Sequence, residues 1–209
     1  MQILNTFSKI IATSHINIDD DLYDRILEVK NETPFWSKKI NDDNTEKSAG
    51  SSGSENWSIL EIEKLSDLKR KVLNEFYIFK NEHMGYIHND FRLTTSWFTS
   101  TAPGDKCDFH THYHCMYSGV LYIKAEKNSG NIVFDPHEDY RFDLKVENFN
   151  INNSHSWWIP PEKGRIIFFD SRIHHKIEEN KSNKERISIA FNLLPIGEMG
   201  FSDSRFVLG

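Results

Sequence analysis

The sequence predicts a mainly β (α+β) fold, in which an antiparallel sandwich or barrel follows an N-terminal helical region. Apolar residues recur at helical spacing only before residue 85. From residue 85 onward, short runs of β-branched and aromatic residues are divided by turn residues, without intervening helices. The chain has 209 residues, of which 38% are hydrophobic and 13% aromatic, enough for one sizeable core. We therefore expect residues 1–84 and 85–209 to share that core.

The N-terminal region contains two predicted helices with a polar tract between them. Three apolar residues at helical spacing predict the first helix, which follows an acidic turn at 19–21: Leu22, Ile26 and Val29. From Glu46 to Glu55 the sequence EKSAGSSGSE has no apolar residue larger than Ala, which predicts a flexible surface loop. The second helix should extend from about Ser66 to Lys80, with Ser58 to Glu61 as a capping box before it.

Seven strand-like runs make up the predicted β domain. They are Arg92 to Thr101, Tyr117 to Lys124, Asn131 to Phe134, Ser156 to Ile159, Arg165 to Asp170, His174 to Glu178 and Ile187 to Leu193. Turn residues such as Pro103-Gly104 and Pro160-Pro161 separate them. We expect two facing antiparallel sheets between Trp97 and Leu194, with the second helix packed outside them.

The composition disfavours several classes of protein. A formal net charge of −6 and a pI of about 5.9 leave no broad basic surface, so nucleic acid is not the expected partner. Cys107 and Cys115 cannot form a disulfide framework, and their spacing matches neither a C-x-x-C redox pair nor a four-cysteine zinc site. No apolar run approaches the ~18 residues of a membrane span, and the N-terminus lacks the features of a signal peptide. We expect a soluble cytoplasmic protein, and its oligomeric state is not indicated.

Histidines provide the first functional signal. Six of the ten lie in or near two strand-like runs: His110, His112, His114, His137, His174 and His175. Because alternate residues of a strand point to one face, His110 and His112 can present imidazoles to one point, and His175 can complete the set from a distant strand. His-x-His with a remote histidine is typical of a divalent ion held inside a β-barrel. The alternative is a set of core or solvated histidines that bond to the backbone.

Carboxylates offer alternatives to His112 as the third metal ligand. His88-Asn-Asp90 is a literal H-x-D motif, but it lies one predicted strand too early for the proposed site. Asp108 and Asp135 are nearer, and either can serve if His112 does not bind. The sequence leaves these alternatives open.

Arg186 and Ser188 form a second functional signal, because they begin eleven residues after His175. They alternate onto one face of a predicted strand, whereas Ile187 and Ile189 point into the opposite layer. A guanidinium fork beside a hydroxyl is well shaped to hold a carboxylate in two parallel hydrogen bonds. An arginine on a strand is otherwise most often a surface residue, so this interpretation depends on the offset from the histidine.

Several motifs together resemble a known family. They are His110-Thr-His112, Ser118-Gly-Val-Leu-Tyr-Ile123, Gly130 to Pro136, Gly164 to Ser171, His175 and Arg186-Ile-Ser-Ile-Ala-Phe-Asn192. In this pattern the chain resembles the 2-oxoglutarate/Fe(II)-dependent dioxygenase superfamily, and in particular a microbial and phage sub-group with the order H-x-H, H and R-x-S. The resemblance covers about Trp97 to Leu194 and does not extend to the first half of the chain.

The resemblance implies a double-stranded β-helix, the jelly-roll architecture of cupins. In it, His110 and His175 bind Fe(II), and Arg186 with Ser188 binds the distal carboxylate of 2-oxoglutarate. It also implies O2 as oxidant and hydroxylation of the substrate, with release of succinate and CO2. The departure is at His112, where the superfamily usually has Asp or Glu to complete a 2-His-1-carboxylate triad. A neutral imidazole there makes the iron centre one unit more positive and still leaves three coordination positions free.

Two other functions fit the same features. A cupin-like metal-binding or sugar-binding protein would use the barrel without oxidative chemistry, although it would need no carboxylate clamp such as Arg186 with Ser188. A microbial or phage structural protein with a vestigial site is the other alternative. The substrate is not identified: a small acid, a nucleobase and a protein side chain all remain open, with contacts expected from loops such as 139–155. The pocket should be lined by aromatic residues, with Trp97, Tyr113, Tyr122 and Phe191 as candidates.

Overall fold

The computed structural model describes residues 1–3, 8–36, 52–135 and 144–209. Within these ranges the chain forms two α-helices, α1 (Asp20–Glu32) and α2 (Ser66–Ile78), and twelve strands. The strands are β1 (Ile11–His15), β2 (Phe35–Trp36), β3 (Ser52–Ser54), β4 (Asp90–Thr101), β5 (Cys107–His110), β6 (Tyr117–Lys124), β7 (Ile132–Asp135), β8 (Trp157–Ile159), β9 (Arg165–Asp170), β10 (His174–Ile177), β11 (Arg186–Met199) and β12 (Phe206–Leu208).

The strands form two antiparallel sheets, as the sequence predicted. The large sheet has the order β1-β9-β6-β11-β4-β3-β2, with β12 paired to the end of β11, and the small sheet has the order β5-β10-β7-β8. From β4 to β11 the chain passes back and forth between the two sheets, which is the winding of a double-stranded β-helix. The predicted jelly-roll fold is therefore confirmed.

Strand β6 shows how the sequence pattern divides the core into two layers. Leu121 and Ile123 are fully buried on the face covered by the helices. Val120 and Tyr122 alternate with them and point toward the small sheet, into the space between the sheets. The helix-side layer is the larger hydrophobic cluster, whereas the layer between the sheets combines apolar side chains with the polar groups of the functional site.

The two helices cover the outer face of the large sheet. In α1, Asp19 caps the N-terminus by accepting a hydrogen bond from the backbone N–H of Leu22 at 2.9 Å. In α2 the predicted apolar stripe is buried against the sheet: Leu68, Val72 and Phe76. The predicted capping box at Ser58 is wrong, because its side chain makes no cap hydrogen bond and two short 3₁₀ turns, Ile59–Glu61 and Glu63–Leu65, precede the helix.

The N-terminal region also contributes strands, which the sequence did not predict. Strand β1 pairs with β9, and β2 and β3 extend the large sheet beyond β4. Most of the predicted Gly/Ser loop lies outside the described residues, but Ser52–Ser54 forms β3 rather than loop. The Ser54 hydroxyl accepts a hydrogen bond from the Phe98 N–H at 3.0 Å, which ties this polar segment to the sheet edge. No helix in the described ranges is long and apolar enough to cross a membrane.

Candidate metal centre and ligand pocket

Three histidines meet in the space between the two sheets. Strands β5 and β10 pair antiparallel with His110 opposite His175. His112 lies two residues beyond the end of β5, where its backbone N–H donates to the Ser171 carbonyl at 3.0 Å. One ligand nitrogen from each of the three rings lies within 4.8 Å of the other two. The structure thus brings the three predicted metal ligands to one point.

Backbone carbonyls set the orientation of two of the rings. His110 Nδ1 lies 2.8 Å from the Asp108 carbonyl, and His175 Nδ1 lies 3.0 Å from the Ile173 carbonyl. Because a carbonyl oxygen only accepts, each Nδ1 carries the proton, which leaves each Nε2 with a free lone pair. His112 Nε2 is 3.3 Å from His175 Nε2. Two nitrogens bound to one ion at ~2.1 Å would be ~3.0–3.4 Å apart, so the spacing fits a first-row divalent metal.

Burial keeps two of the imidazoles neutral. It lowers the pKa of His112 to about 4, with a smaller contribution from the charge of His110. It lowers the pKa of His175 to about 3, and the neighbouring histidines add to this effect. Neutral imidazole is the form that binds a metal, so at neutral pH these side chains are ready to act as ligands.

The carboxylates near the histidines face away from them. Asp135 pairs with His174 across β7 and β10, and therefore lies on the face opposite to that of His175. The Asp108 carboxylate is mostly exposed, 3.9 Å from the Lys106 ammonium, and contributes to the site through its backbone only.

The rival H-x-D motif lies at the wrong end of the barrel. His88 is exposed, and Asp90 pairs with Ile196 at one end of β4, whereas the other end of β4 meets Arg186. Among the described residues, the one group of three or more side chains placed to share a metal is His110, His112 and His175. His112, and not Asp108, Asp135 or the H-x-D motif, therefore lies where a third metal ligand would be needed.

Arg186 lies at the opposite end of the same space and is only 2% exposed. Its Nη1 donates to the carbonyls of Ser129 and Gly130 at 3.0 and 2.9 Å, and its Nη2 donates to Thr101 Oγ1 at 2.8 Å. Its Nε finds no hydrogen-bond partner in the described part of the chain. A buried guanidinium with a free donor and no acidic partner among the described residues is suited to bind an anion.

Tyr122 adds a second free donor beside the arginine. The guanidinium carbon of Arg186 lies 5.9 Å from the Tyr122 ring centroid, and the Tyr122 hydroxyl has no hydrogen-bond partner among the described residues. Burial raises the pKa of the Tyr122 phenol, so the hydroxyl is protonated and can donate. Nearby, the Ser188 hydroxyl donates to Thr99 Oγ1 at 3.3 Å.

A cavity of about 190 Å³ connects the histidines to these donors. Besides them, its walls include Trp97, Val120 and Phe169. Two of the aromatic residues expected to line the pocket, Trp97 and Tyr122, do so. Phe191 is buried in the helix-side layer instead, since it alternates with Ala190 on β11, and Tyr113 is 81% exposed. The arrangement can hold a dianion, with one end at the metal and the other at Arg186.

Sequence reasoning missed the roles of Tyr122, Thr99 and Thr101. Tyr122 was expected to be an aromatic wall, and its unpartnered hydroxyl became evident only from the packing around it. Trp97 and the two threonines lie two residues apart along β4, so the alternation of side chains in a strand places all three on the inner face. Their pairing opposite Ser188 and Arg186 comes from strand register, which the sequence alone does not reveal.

Comparisons with known proteins agree with this geometry. A family model described as "Putative 2OG-Fe(II) oxygenase" matches residues 95–192, a segment that contains His110, His112, His175, Arg186 and Ser188. A comparison with curated proteins found no match.

Solved structures show the same fold at low sequence identity. A 2OG-Fe(II) oxygenase family oxidoreductase from Burkholderia pseudomallei is 10% identical, with a TM-score of 0.60 over 88% of this chain and 84% of that chain. A prolyl hydroxylase from Trichoplax adhaerens, in complex with a hypoxia inducible factor peptide, is 13% identical, with a TM-score of 0.59 over 88% and 79%. HygX from Streptomyces hygroscopicus, with nickel, 2-oxoglutarate and hygromycin B bound, is 9% identical, with a TM-score of 0.60 over 90% and 83%.

Proposed function

The chain belongs to the 2-oxoglutarate/Fe(II)-dependent oxygenase superfamily, and on this premise we propose that it hydroxylates a C–H bond of its substrate, with release of succinate and CO2. The observation that carries the proposal is the cavity with three imidazoles at one end and a buried arginine at the other. The substrate is a small molecule or a protein side chain, and nothing in the acidic composition favours nucleic acid. Two free thiols also support a cytoplasmic location.

In this proposal, His110, His112 and His175 hold Fe(II) through their Nε2 atoms. The carbonyls of Asp108 and Ile173 keep the Nδ1 protons of two rings in place, so these rings do not rotate away when the ion is exchanged. Bound Fe(II) would supply the oxidising chemistry, with O2 and 2-oxoglutarate as the reactants.

The far end of the cavity holds the distal carboxylate of 2-oxoglutarate. Among the described residues that line the cavity, Arg186 Nε and the Tyr122 hydroxyl are the two buried donors without a partner, and Ser188 lies on the same face of β11 as Arg186. The remaining bonds of Arg186 to the backbone at 129–130 fix the guanidinium plane before the ligand arrives, which lowers the entropy lost on binding. The apolar walls of Val120 and Phe169 exclude water from the space between.

Anaerobic titration of the Fe(II) protein with 2-oxoglutarate tests the proposal, with the metal-to-ligand absorption band as the readout. We expect saturable binding, and we expect 2-oxobutyrate, which keeps the keto-acid but lacks the distal carboxylate, to bind at least tenfold more weakly. Admission of O2 should then produce succinate, even without substrate, at a slow uncoupled rate. If the protein binds Fe(II) but binds neither keto-acid and produces no succinate, it is a cupin-like metal binder or has a vestigial site.

A further inference from the structure

The cavity between the histidines and Arg186 has cationic and neutral walls but no acidic one. None of its lining residues in the described part of the chain is Asp or Glu. Three carboxylates on neighbouring strands are directed elsewhere. Asp170 pairs with an exposed arginine at 2.6 Å, Asp108 lies near an exposed lysine, and Asp135 lies on the opposite face of the small sheet.

This lining leaves one positive charge without a partner once the proposed ligands are bound. The distal carboxylate of 2-oxoglutarate pairs with Arg186, its other carboxylate balances one of the two charges of Fe(II), and the three histidines are neutral ligands. One positive charge then remains at the metal end of the cavity, where His175 is 4% exposed. A carboxylate at position 112 would have cancelled it, but the chain has His112 there. An uncompensated buried charge is costly, so a further anion is stabilised in this cavity.

We infer that the substrate carries an anionic group, of the carboxylate or phosphate class, that enters the cavity beside His112. The inference rests on the proposed function and narrows its substrate class. The ring of His112 lies 5.8 Å from the ring of Trp97, and Trp97 lies 5.5 Å from the half-exposed Trp57, with both pairs of rings tilted relative to each other. These two tryptophans provide an apolar route from solvent to the histidines, whereas the charge that attracts the anion lies inside.

The test uses acetate as a carboxylate probe and acetamide as its neutral counterpart. Each is added anaerobically to the full-length protein loaded with Fe(II) and 2-oxoglutarate, at constant ionic strength set by a bulky sulfonate. The absorption band of the bound keto-acid first shows that the complex has formed, so failure at that stage refutes the proposed function itself and the inference with it. We expect acetate to shift the band with saturation, and we expect no saturable shift with acetamide.

Two isosteric variants then separate charge from shape. His112→Asn keeps a neutral side chain at this position, whereas His112→Asp adds the missing negative charge in the same volume. We expect acetate to bind to the Asp variant roughly tenfold or more weakly than to the Asn variant, because a unit charge is added within a few ångströms of the anion. If neither variant retains Fe(II), the comparison of acetate with acetamide on the natural protein decides alone.

Three results would overturn the inference. Equal effects of acetate and acetamide would mean that charge is not recognised. Loss of the band instead of a shift would mean that acetate displaces 2-oxoglutarate from the metal. A saturable shift of the band with chloride but not with acetate would mean that the site binds a free halide ion and not an anionic group of the substrate.

Discussion

Tyr122→Phe separates a ligand-binding role from a structural one, because it removes only the unpartnered hydroxyl. The ring is fully buried and the hydroxyl has no hydrogen-bond partner among the described residues, although it lies beside the arginine proposed to hold 2-oxoglutarate. The ring itself fills the space between the sheets and remains in the variant. We therefore expect opposite effects on the stability of the ligand-free protein and on the affinity for 2-oxoglutarate.

The magnitudes follow from the two environments of the hydroxyl. An unsatisfied buried hydroxyl costs about 1–3 kcal/mol, so its removal should stabilise the ligand-free protein by about 1 kcal/mol, or raise its Tm by about 2–4 °C. With 2-oxoglutarate bound, the hydroxyl donates to a carboxylate, and a hydrogen bond to a charged group contributes about 1.5–3 kcal/mol. Its loss should weaken 2-oxoglutarate binding roughly 10- to 150-fold.

Calorimetry and anaerobic titration measure these two effects, and Tyr117→Phe is a matched control. Tyr117 is also buried on the same strand, but it lies in the helix-side layer and its hydroxyl is hydrogen-bonded to Tyr86. This control should lower Tm and leave the affinity for 2-oxoglutarate unchanged. The reasoning fails if Tyr122→Phe destabilises the ligand-free protein as the control does, or if its affinity for 2-oxoglutarate is that of the natural protein.

Three further predictions concern the arginine, the glycine on β6 and the buried histidines. Arg186→Ala should weaken 2-oxoglutarate binding by about 2–5 kcal/mol in the same titration while Fe(II) affinity changes little, and unchanged affinity would make it a purely structural anchor. Gly119→Ala should lower the free energy of unfolding by about 1–3 kcal/mol in urea, because a Cβ there would lie 2.4 Å from two ring carbons of Phe191; an unchanged midpoint would contradict this packing. In metal-free protein, the lowered pKa values of His112 and His175, about 4 and about 3, mean that the unfolded state takes up protons first. Stability should therefore be full above pH 6.5 and fall by of order 3 kcal/mol per histidine toward pH 4, and Tm independent of pH over this range would refute it.

Strand positions were predicted well wherever the residue pattern is local. The run Arg165–Asp170 is a strand with the predicted bounds, as is Tyr117–Lys124, because each run has four β-branched or aromatic residues and lies between turn residues. The strand at Cys107–His110 was missed, since four residues of mixed polarity carry no alternation of their own. It forms because β10 offers a partner, with His175 opposite His110. Such pairing is a tertiary property.

The N-terminal region illustrates the same limit at a larger scale. Helix α1 was evident from the helical spacing of Leu22, Ile26 and Val29, all of which are buried. That Ile11–His15 joins the large sheet was not evident, because this short segment has mostly half-exposed or exposed side chains and pairs with a strand more than 150 positions later.

The sequence by itself determined which side chains share a face, because alternation along a strand depends only on neighbouring residues. It therefore placed Arg186 with Ser188, and it pointed to His110, His112 and His175 as a set. Only the tertiary structure decided which groups stand opposite these faces.

The register of β4 against β11 puts Thr101 beside the arginine, and the packing between the sheets leaves the Tyr122 hydroxyl without a partner. The register of β7 against β10 turns Asp135 away from the histidines. These outcomes depend on contacts between segments many tens of residues apart, and no local pattern in the chain encodes them.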